Sequence, residues 1–259
     1  MKISHEVPIS LLEMSKTFND YDYCLAPFLG KYPQYNSYFL SNKDRMCIMD
    51  NGLHENYLLS NADLVKHINE IEPDIFIVPD VWNDRHLTYS NAKEWMKEIK
   101  PLISPKTELM VVIQATTFTD AYTLYIDLKA LGYKHIAFNY SSKMYATLFP
   151  HLNQNVSRMM GRILFINKLL ELNILDKSIY HHLLGASDWT EFKYYNSPGY
   201  EFIKSVDTSS PIVHAAKGIN YEYNKSYEKP TELIENFIFN SDIDEKILLS
   251  NINIFKNQI

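Results

Sequence analysis

Four apolar runs in the sequence each end in one polar side chain suited to chemistry. The fullest is Ser205-Val206-Asp207-Thr208-Ser209-Ser210-Pro211, where an apolar stretch delivers a carboxylate and small hydroxyl residues and a proline follow at once. Met46-Cys47-Ile48-Met49-Asp50, Ile75-Phe76-Ile77-Val78-Pro79-Asp80 and Met110-Val111-Val112-Ile113-Gln114 are built alike. A carboxylate beside an electrophilic carbon such as a sugar C1′ is a nucleophile, and a second one nearby gives or takes a proton. An Asp and a Gln on one cleft wall suit the edge of a guanine-like base. The ionised carboxylate accepts from N1–H and the exocyclic amine, and the amide meets O6. Taken singly, each Asp also reads as a cap on the helix that follows. Four in succession, each close behind a strand, favour a shared site. No Ser-His-Asp order, HExxH or CxxC pair offers a competing chemistry.

Side chains at strand ends converge only when the strands run parallel. Strand and helix alternate along the chain about seven or eight times, and parallel strands need such crossovers. The strands are continuously apolar, as expected when both faces are buried. They are expected over residues 21–28, closed by Pro27, and over 45–49, 74–78, 109–113, 135–138, 178–184 and 201–206. Helices are expected over 61–71, 86–100, 121–131 and 156–172, with a short one opening at Ser187 and two in the tail, 231–240 and 242–255. Residues 1–20 read as an entry segment with a helical piece, 32–40 as a loop or an extra short strand, and 212–217 as helical or extended. The pattern predicts a single-domain α/β fold over residues 1–259, a TIM-like (β/α)8 barrel whose C-terminal strand ends carry the chemistry. The rival, a doubly wound open sheet, usually shows a glycine-rich first turn, and no GxGxxG or P-loop pattern is present.

Composition narrows the classes further. Of 259 residues, 46% are hydrophobic and 22% charged, enough to bury a sizeable core. Seven Gly against 19 Tyr, with abundant Asn, Lys and Ile, fits AT-rich codon usage. The formal net charge of −6 means that a nucleic acid would be held by a local basic patch, not by the overall field. Two cysteines, Cys24 and Cys47, make neither a disulfide framework nor a four-cysteine zinc site. The N-terminus has no apolar signal region and no run approaches membrane-spanning length, so a reducing cytoplasm is the expected compartment.

From residue 47 to residue 218 the chain resembles the tRNA-guanine transglycosylase superfamily. Within it, the resemblance is to the shorter branch that exchanges guanine for 7-deazaguanines in DNA, known from phages and bacterial modification clusters. Met49-Asp50-Asn51-Gly52 is similar to the family's Asp-Ser-Gly-Gly stretch, whose Asp is a general acid/base. The segment ending in Asp80 resembles the one whose last Asp reads the base, and Val111-Val112-Ile113-Gln114 the one whose Gln also contacts it. His182-Leu183-Leu184-Gly185 resembles the strand before the nucleophile, and Asp207 stands in the nucleophile's place. Two features depart from the family. The tRNA enzymes carry a zinc site of three Cys and one His after the nucleophile. Here no Cys follows Cys47, and His181, His182 and His214 do not restore the site, so no metal and no cofactor are expected. The glycine pair after the fifth strand reads Asn139-Tyr140 here.

The resemblance implies a two-step exchange. Asp207 attacks C1′ of deoxyguanosine, guanine leaves with a proton from Asp50, and the incoming 7-deazaguanine displaces Asp207. Asp80, Gln114, Asn139, Tyr140, Leu184 and Gly185 are the expected base-binding residues. The target nucleotide must be flipped out of its stack, and Tyr140, Tyr35 and Trp82 are candidates to sandwich it, though each also suits core or surface. Lys217, Arg158 and Arg162 are the candidate nucleic-acid contacts. For the two arginines, with Lys168 on the same helix, a solvated face is the competing explanation. His54-Glu55 either positions the acid or decorates a loop. The expected partners are DNA and a free 7-deazaguanine base, in the cytoplasm of a bacterium or a phage-infected host. No appended RNA-binding domain is seen, which favours DNA. The alternatives are the same exchange on tRNA, and a barrel that only binds nucleic acid or a partner.

Overall fold

A computed structural model describes residues 1–55, 57–223, 232–240 and 242–259. Eight strands form one sheet: β1 (Lys2–His5), β2 (Asp22–Leu25), β3 (Cys47–Asp50), β4 (Ile75–Ile77), β5 (Glu108–Ile113), β6 (His135–Asn139), β7 (Tyr180–Leu184) and β8 (Ile203–Thr208). Their order is β1-β8-β7-β6-β5-β4-β3-β2, and every ladder is parallel. Helices lie between the strands, so the fold is an α/β TIM-like (β/α)8 barrel. The strands are apolar on both faces because one face fills the barrel and the other meets the helices. Met110, Val111, Val112 and Ile113 of β5 are all buried, for example.

The seam between β1 and β2 is closed by side chains as well as backbone. The Asp20 amide donates to the Ile3 carbonyl (2.9 Å), the Ser4 hydroxyl to the Tyr21 carbonyl (2.6 Å), and the His5 amide to Asn19 Oδ1 (2.8 Å). Polar residues next to a seam thus satisfy backbone groups that a ladder would otherwise pair.

Three stretches differ from the sequence expectation. The entry segment contains β1, which pairs with β8 in the register Lys2↔Ser205, Ile3↔Val206 and Ser4↔Asp207. Its partner lies some two hundred residues away along the chain, and four residues carry no period of their own. Pro27 does not close β2 from within; it sits in the first turn of the helix Ala26–Lys31, where its missing N–H costs nothing. Residues 32–40, expected as a loop or strand, belong mostly to the helix Pro33–Ser41. Its buried residues, Tyr35, Tyr38 and Phe39, have helical spacing. Aromatic residues favour strands, which masks the helical spacing here.

The helices that follow the strands carry local start signals. Ser60 caps Asn61–Ile71, Thr117 caps Phe118–Ala130, and Asn153 caps the long helix Gln154–Glu171, each by a side-chain oxygen that accepts from backbone amides. The expected helix 86–100 is α-helical over Arg85–Glu94 and continues through a π-helical turn, Trp95–Ile99. Residues 212–216 are helical, within Ser210–Ala216, and Lys217 caps that helix. In the tail, Glu245–Lys256 is a helix, whereas the expected 231–240 helix is only a short 3-10 turn, Ile234–Phe237, and Thr231 lies outside the described residues. Among the described residues, no helix is long and apolar enough to cross a membrane.

Candidate active site

At the C-terminal ends of the strands lies a cavity of about 400 Å³. Asp50, Asp80, Gln114, Asn139, Tyr140, Leu184, Gly185 and Asp207 all line it. The sequence pattern therefore leads to one place: Asp50, Asn139 and Leu184 end β3, β6 and β7, Gln114 directly follows β5, and Asp207 is the penultimate residue of β8. Asp80 stands three residues beyond β4, after the irregular stretch Val78-Pro79.

Asp207 is almost wholly enclosed, at 2% exposure. Its Oδ1 meets His182 Nε2 at 2.9 Å and accepts from the Gly185 amide at 3.0 Å. Among the described residues no hydrogen bond reaches Oδ2. The Gly185 amide faces Asp207 because the backbone turns there with φ +74°, a conformation that favours glycine. The Gly185 carbonyl is held from the other side by Arg162 Nη1 (2.9 Å).

Asp50 is held at both oxygens. Tyr23 donates its hydroxyl to Oδ2 (2.7 Å), and the Gly52 amide donates to Oδ1 (2.6 Å). Gly52 has φ +86°, and a Cβ there would lie 2.2 Å from Pro27 Cγ, so only glycine fits this turn. Burial raises the Asp50 carboxyl above its ordinary range, and the nearby Asp207 charge adds to the rise. The Gly52 and Tyr23 hydrogen bonds oppose it. A carboxyl raised in this way keeps its proton to higher pH than an exposed one does.

The third wall is a chain of amides. Gln114 Nε2 donates to Asp80 Oδ2 (2.6 Å), and Asn51 Nδ2 donates to Asp80 Oδ1 (3.2 Å). Gln114 Oε1 accepts from Asn139 Nδ2 (2.9 Å) and from the Asn83 amide (3.1 Å). Two donors on Oε1 and a carboxylate at Nε2 fix which way the Gln114 amide points. Burial pushes the Asp80 carboxyl up to about 6, with the Asp50 charge adding and the Gln114 hydrogen bond opposing.

The candidate nucleic-acid contacts separate. Arg158 lines the cavity and has no acidic partner among the described residues. Lys217 lies outside the cavity lining and pairs with Glu232 (2.6 Å), itself a lining residue. Arg162 is neither a phosphate contact nor part of a solvated face. It is fully buried, bonded to Glu191 through Nε (2.8 Å) and Nη2 (2.7 Å) and to the Phe138 carbonyl (3.1 Å). It ties the ends of β6 and β7 together beneath the site. The Arg162 guanidinium also sits 5.0 Å from the centre of the Tyr140 ring, a cation–π distance.

Of the candidate aromatics, Trp82 and Tyr140 line the cavity, but Tyr35 is core, with its hydroxyl oxygen accepting from the Leu25 amide at 2.8 Å. His54 and Glu55 both line the cavity, and the His54 ring meets Trp82 edge-on. Tyr23, Asn51 and His182 were missed in the sequence. His182 left one signal, the histidine pair His181-His182 ahead of the apolar end of its strand; Tyr23 left none. Among the described residues, no group of three or more His, Cys, Asp or Glu is arranged to hold a metal ion.

Fold and cavity together define a (β/α)8 barrel with a carboxylate-lined pocket at the C-terminal mouth of its strands. No protein-family model matches the chain, and no curated protein matches it.

Proposed function

We propose that this barrel is a base-exchanging transglycosylase, replacing guanine in DNA by a 7-deazaguanine through a covalent glycosyl-aspartate. The observation that carries the proposal is the pairing of two unlike carboxylates in one pocket. Among the described residues, Asp207 is held by one oxygen and no hydrogen bond reaches the other; burial raises the Asp50 carboxyl above its ordinary range. One is fit to attack, the other to protonate.

In the first step Asp207 bonds to C1′ as the C1′–N9 bond breaks. The bonding pair leaves with the base, and Asp50 supplies the proton that neutralises it. In the second step Asp50 takes the N9 proton of the incoming base, which attacks C1′ and releases Asp207. Two displacements at one carbon preserve the β configuration. The Asp80–Gln114 pair supports a guanine-like edge. Each Asp80 oxygen keeps a lone pair for N1–H or the exocyclic amine, and the second Gln114 amide hydrogen is left for O6. Arg158, a cation lining the cavity, is the group proposed to meet the phosphate of a flipped nucleotide. The proposed setting is the cytoplasm of a bacterium or a phage-infected host.

The test is incubation with guanine-containing duplex DNA and 7-cyano-7-deazaguanine, followed by nucleoside mass spectrometry. The modified deoxynucleoside is the expected product. Radiolabelled guanine entering tRNA but not DNA would move the substrate to tRNA with the chemistry unchanged. Turnover of neither would leave a binding barrel.

A further inference from the structure

His182 belongs to β7, is fully buried, and lies between two groups of β8. Its Nδ1 meets Ser205 Oγ at 2.8 Å, and its Nε2 meets Asp207 Oδ1 at 2.9 Å. Ser205 Oγ also accepts the Tyr180 hydroxyl at 2.8 Å. Tyr180 and His182 stand two apart on β7, and Ser205 and Asp207 two apart on β8, so each pair shares one face of the sheet.

These contacts decide where the protons lie. Ser205 has one hydroxyl proton, and its oxygen already receives one from Tyr180, so it gives its own to His182 Nδ1. Nε2 then carries the ring proton and donates it to Asp207. The opposite tautomer would set a lone pair of Nε2 against the lone pairs of a carboxylate at 2.9 Å and give Ser205 two donors with no acceptor. The relay runs from Tyr180 through Ser205 and His182 to Asp207, and the Gly185 amide joins it on the same oxygen.

We propose that His182 is a positioning residue that holds Oδ1 of Asp207 so that Oδ2 is the oxygen that bonds to C1′. This rests on the transglycosylase reading above. Two donors on Oδ1 fix the plane of the carboxylate, and among the described residues nothing engages the lone pairs of Oδ2. When the Oδ2–C1′ bond forms, Oδ1 becomes the carbonyl oxygen of the ester and keeps both donors. When the incoming base breaks that bond, the electron pair returns to the carboxylate, where the same two N–H groups receive the charge.

Two variants of the full chain and one spectroscopic measurement test it. His182→Leu removes the donor; His182→Gln keeps one, because the terminal amide of Gln reaches the place of Nε2. Single-turnover formation of the protein–DNA adduct and binding of free guanine are measured for each. His182→Leu is expected to slow adduct formation by about 100-fold, the size of a misaligned reacting group, with guanine affinity unchanged. His182→Gln is expected to recover most of that rate. Nitrogen-15 NMR of histidine-labelled protein, with the His182→Gln spectrum as assignment control, should show the Nε2–H tautomer. An unchanged adduct rate in His182→Leu, equal losses in both variants, or an Nδ1–H ring would overturn the proposal. A wild-type protein that forms no adduct would instead overturn the transglycosylase reading and the attack assigned to Oδ2, while the NMR tautomer alone decides the hold on Asp207.

Discussion

Gln114 Nε2 donates to Asp80 Oδ2 over 2.6 Å, so the carboxylate and the amide form one hydrogen-bonded unit, the one proposed to read the base. Asp80→Asn would place an NH2 group against either Gln114 or Asn51, both of which already donate to this side chain. It should weaken binding of free guanine by about 1–3 kcal/mol, the cost of a lost hydrogen bond to a charged group. Titration calorimetry checks this, and unaltered affinity would remove Asp80 from base reading.

The same carboxylate predicts a pH dependence. Its value of about 6 lies above the ordinary 3.8 because burial disfavours the charge. In the proposed function the ionised form accepts from the base, and the protonated form has lost an acceptor. Affinity for guanine should therefore be constant above pH 6 and fall by about tenfold per pH unit below it. Stability moves the other way. A carboxyl raised by folding binds more protons in the native state, so its contribution to stability falls as pH rises from about 4 to about 6.

Tyr23 is expected to tune the acid. Its hydroxyl stabilises the ionised form of Asp50, so Tyr23→Phe should raise the Asp50 carboxyl further. A general acid works while protonated, and the rate falls as pH passes its value. The alkaline limb of the adduct-formation profile should therefore move to higher pH in Tyr23→Phe. A limb that stays in place would assign the proton to another group.

Arg162 and Glu191 form a buried ion pair under the cavity. Glu191→Gln leaves the guanidinium buried with its charge uncompensated, and should cost about 3–5 kcal/mol in denaturant unfolding. The double variant Arg162→Met, Glu191→Leu removes both charges and should recover most of that stability. Its adduct formation should remain slow, because the Gly185 carbonyl and, through it, the amide facing Asp207 lose their anchor.

Arg162 also shows where sequence reasoning stops. Arg158 and Arg162 are four apart, so they share a helix face, and that much is periodicity. Which face is buried depends on packing against Glu191 and the strand ends, which no local pattern encodes. Asp50, Asp207, Gln114 and Asn139 were legible because each stands at or next to the end of an apolar strand, where geometry leaves one destination. β1 was not, because its four residues become a strand only against β8. The Pro33–Ser41 helix was obscured by aromatic residues that favour strands elsewhere, and Tyr23 entered the site from a strand whose sequence carries no polar terminus.

The nucleophile is the central claim, and a trapped adduct tests it most directly. Wild-type protein, incubated with guanine-containing DNA in the absence of incoming base and quenched in denaturant, should yield a covalent protein–DNA species. Peptide mapping should place the bond on Asp207, and Asp207→Asn should form none while still binding free guanine. A bond on Asp50, or full exchange by Asp207→Asn, would contradict it.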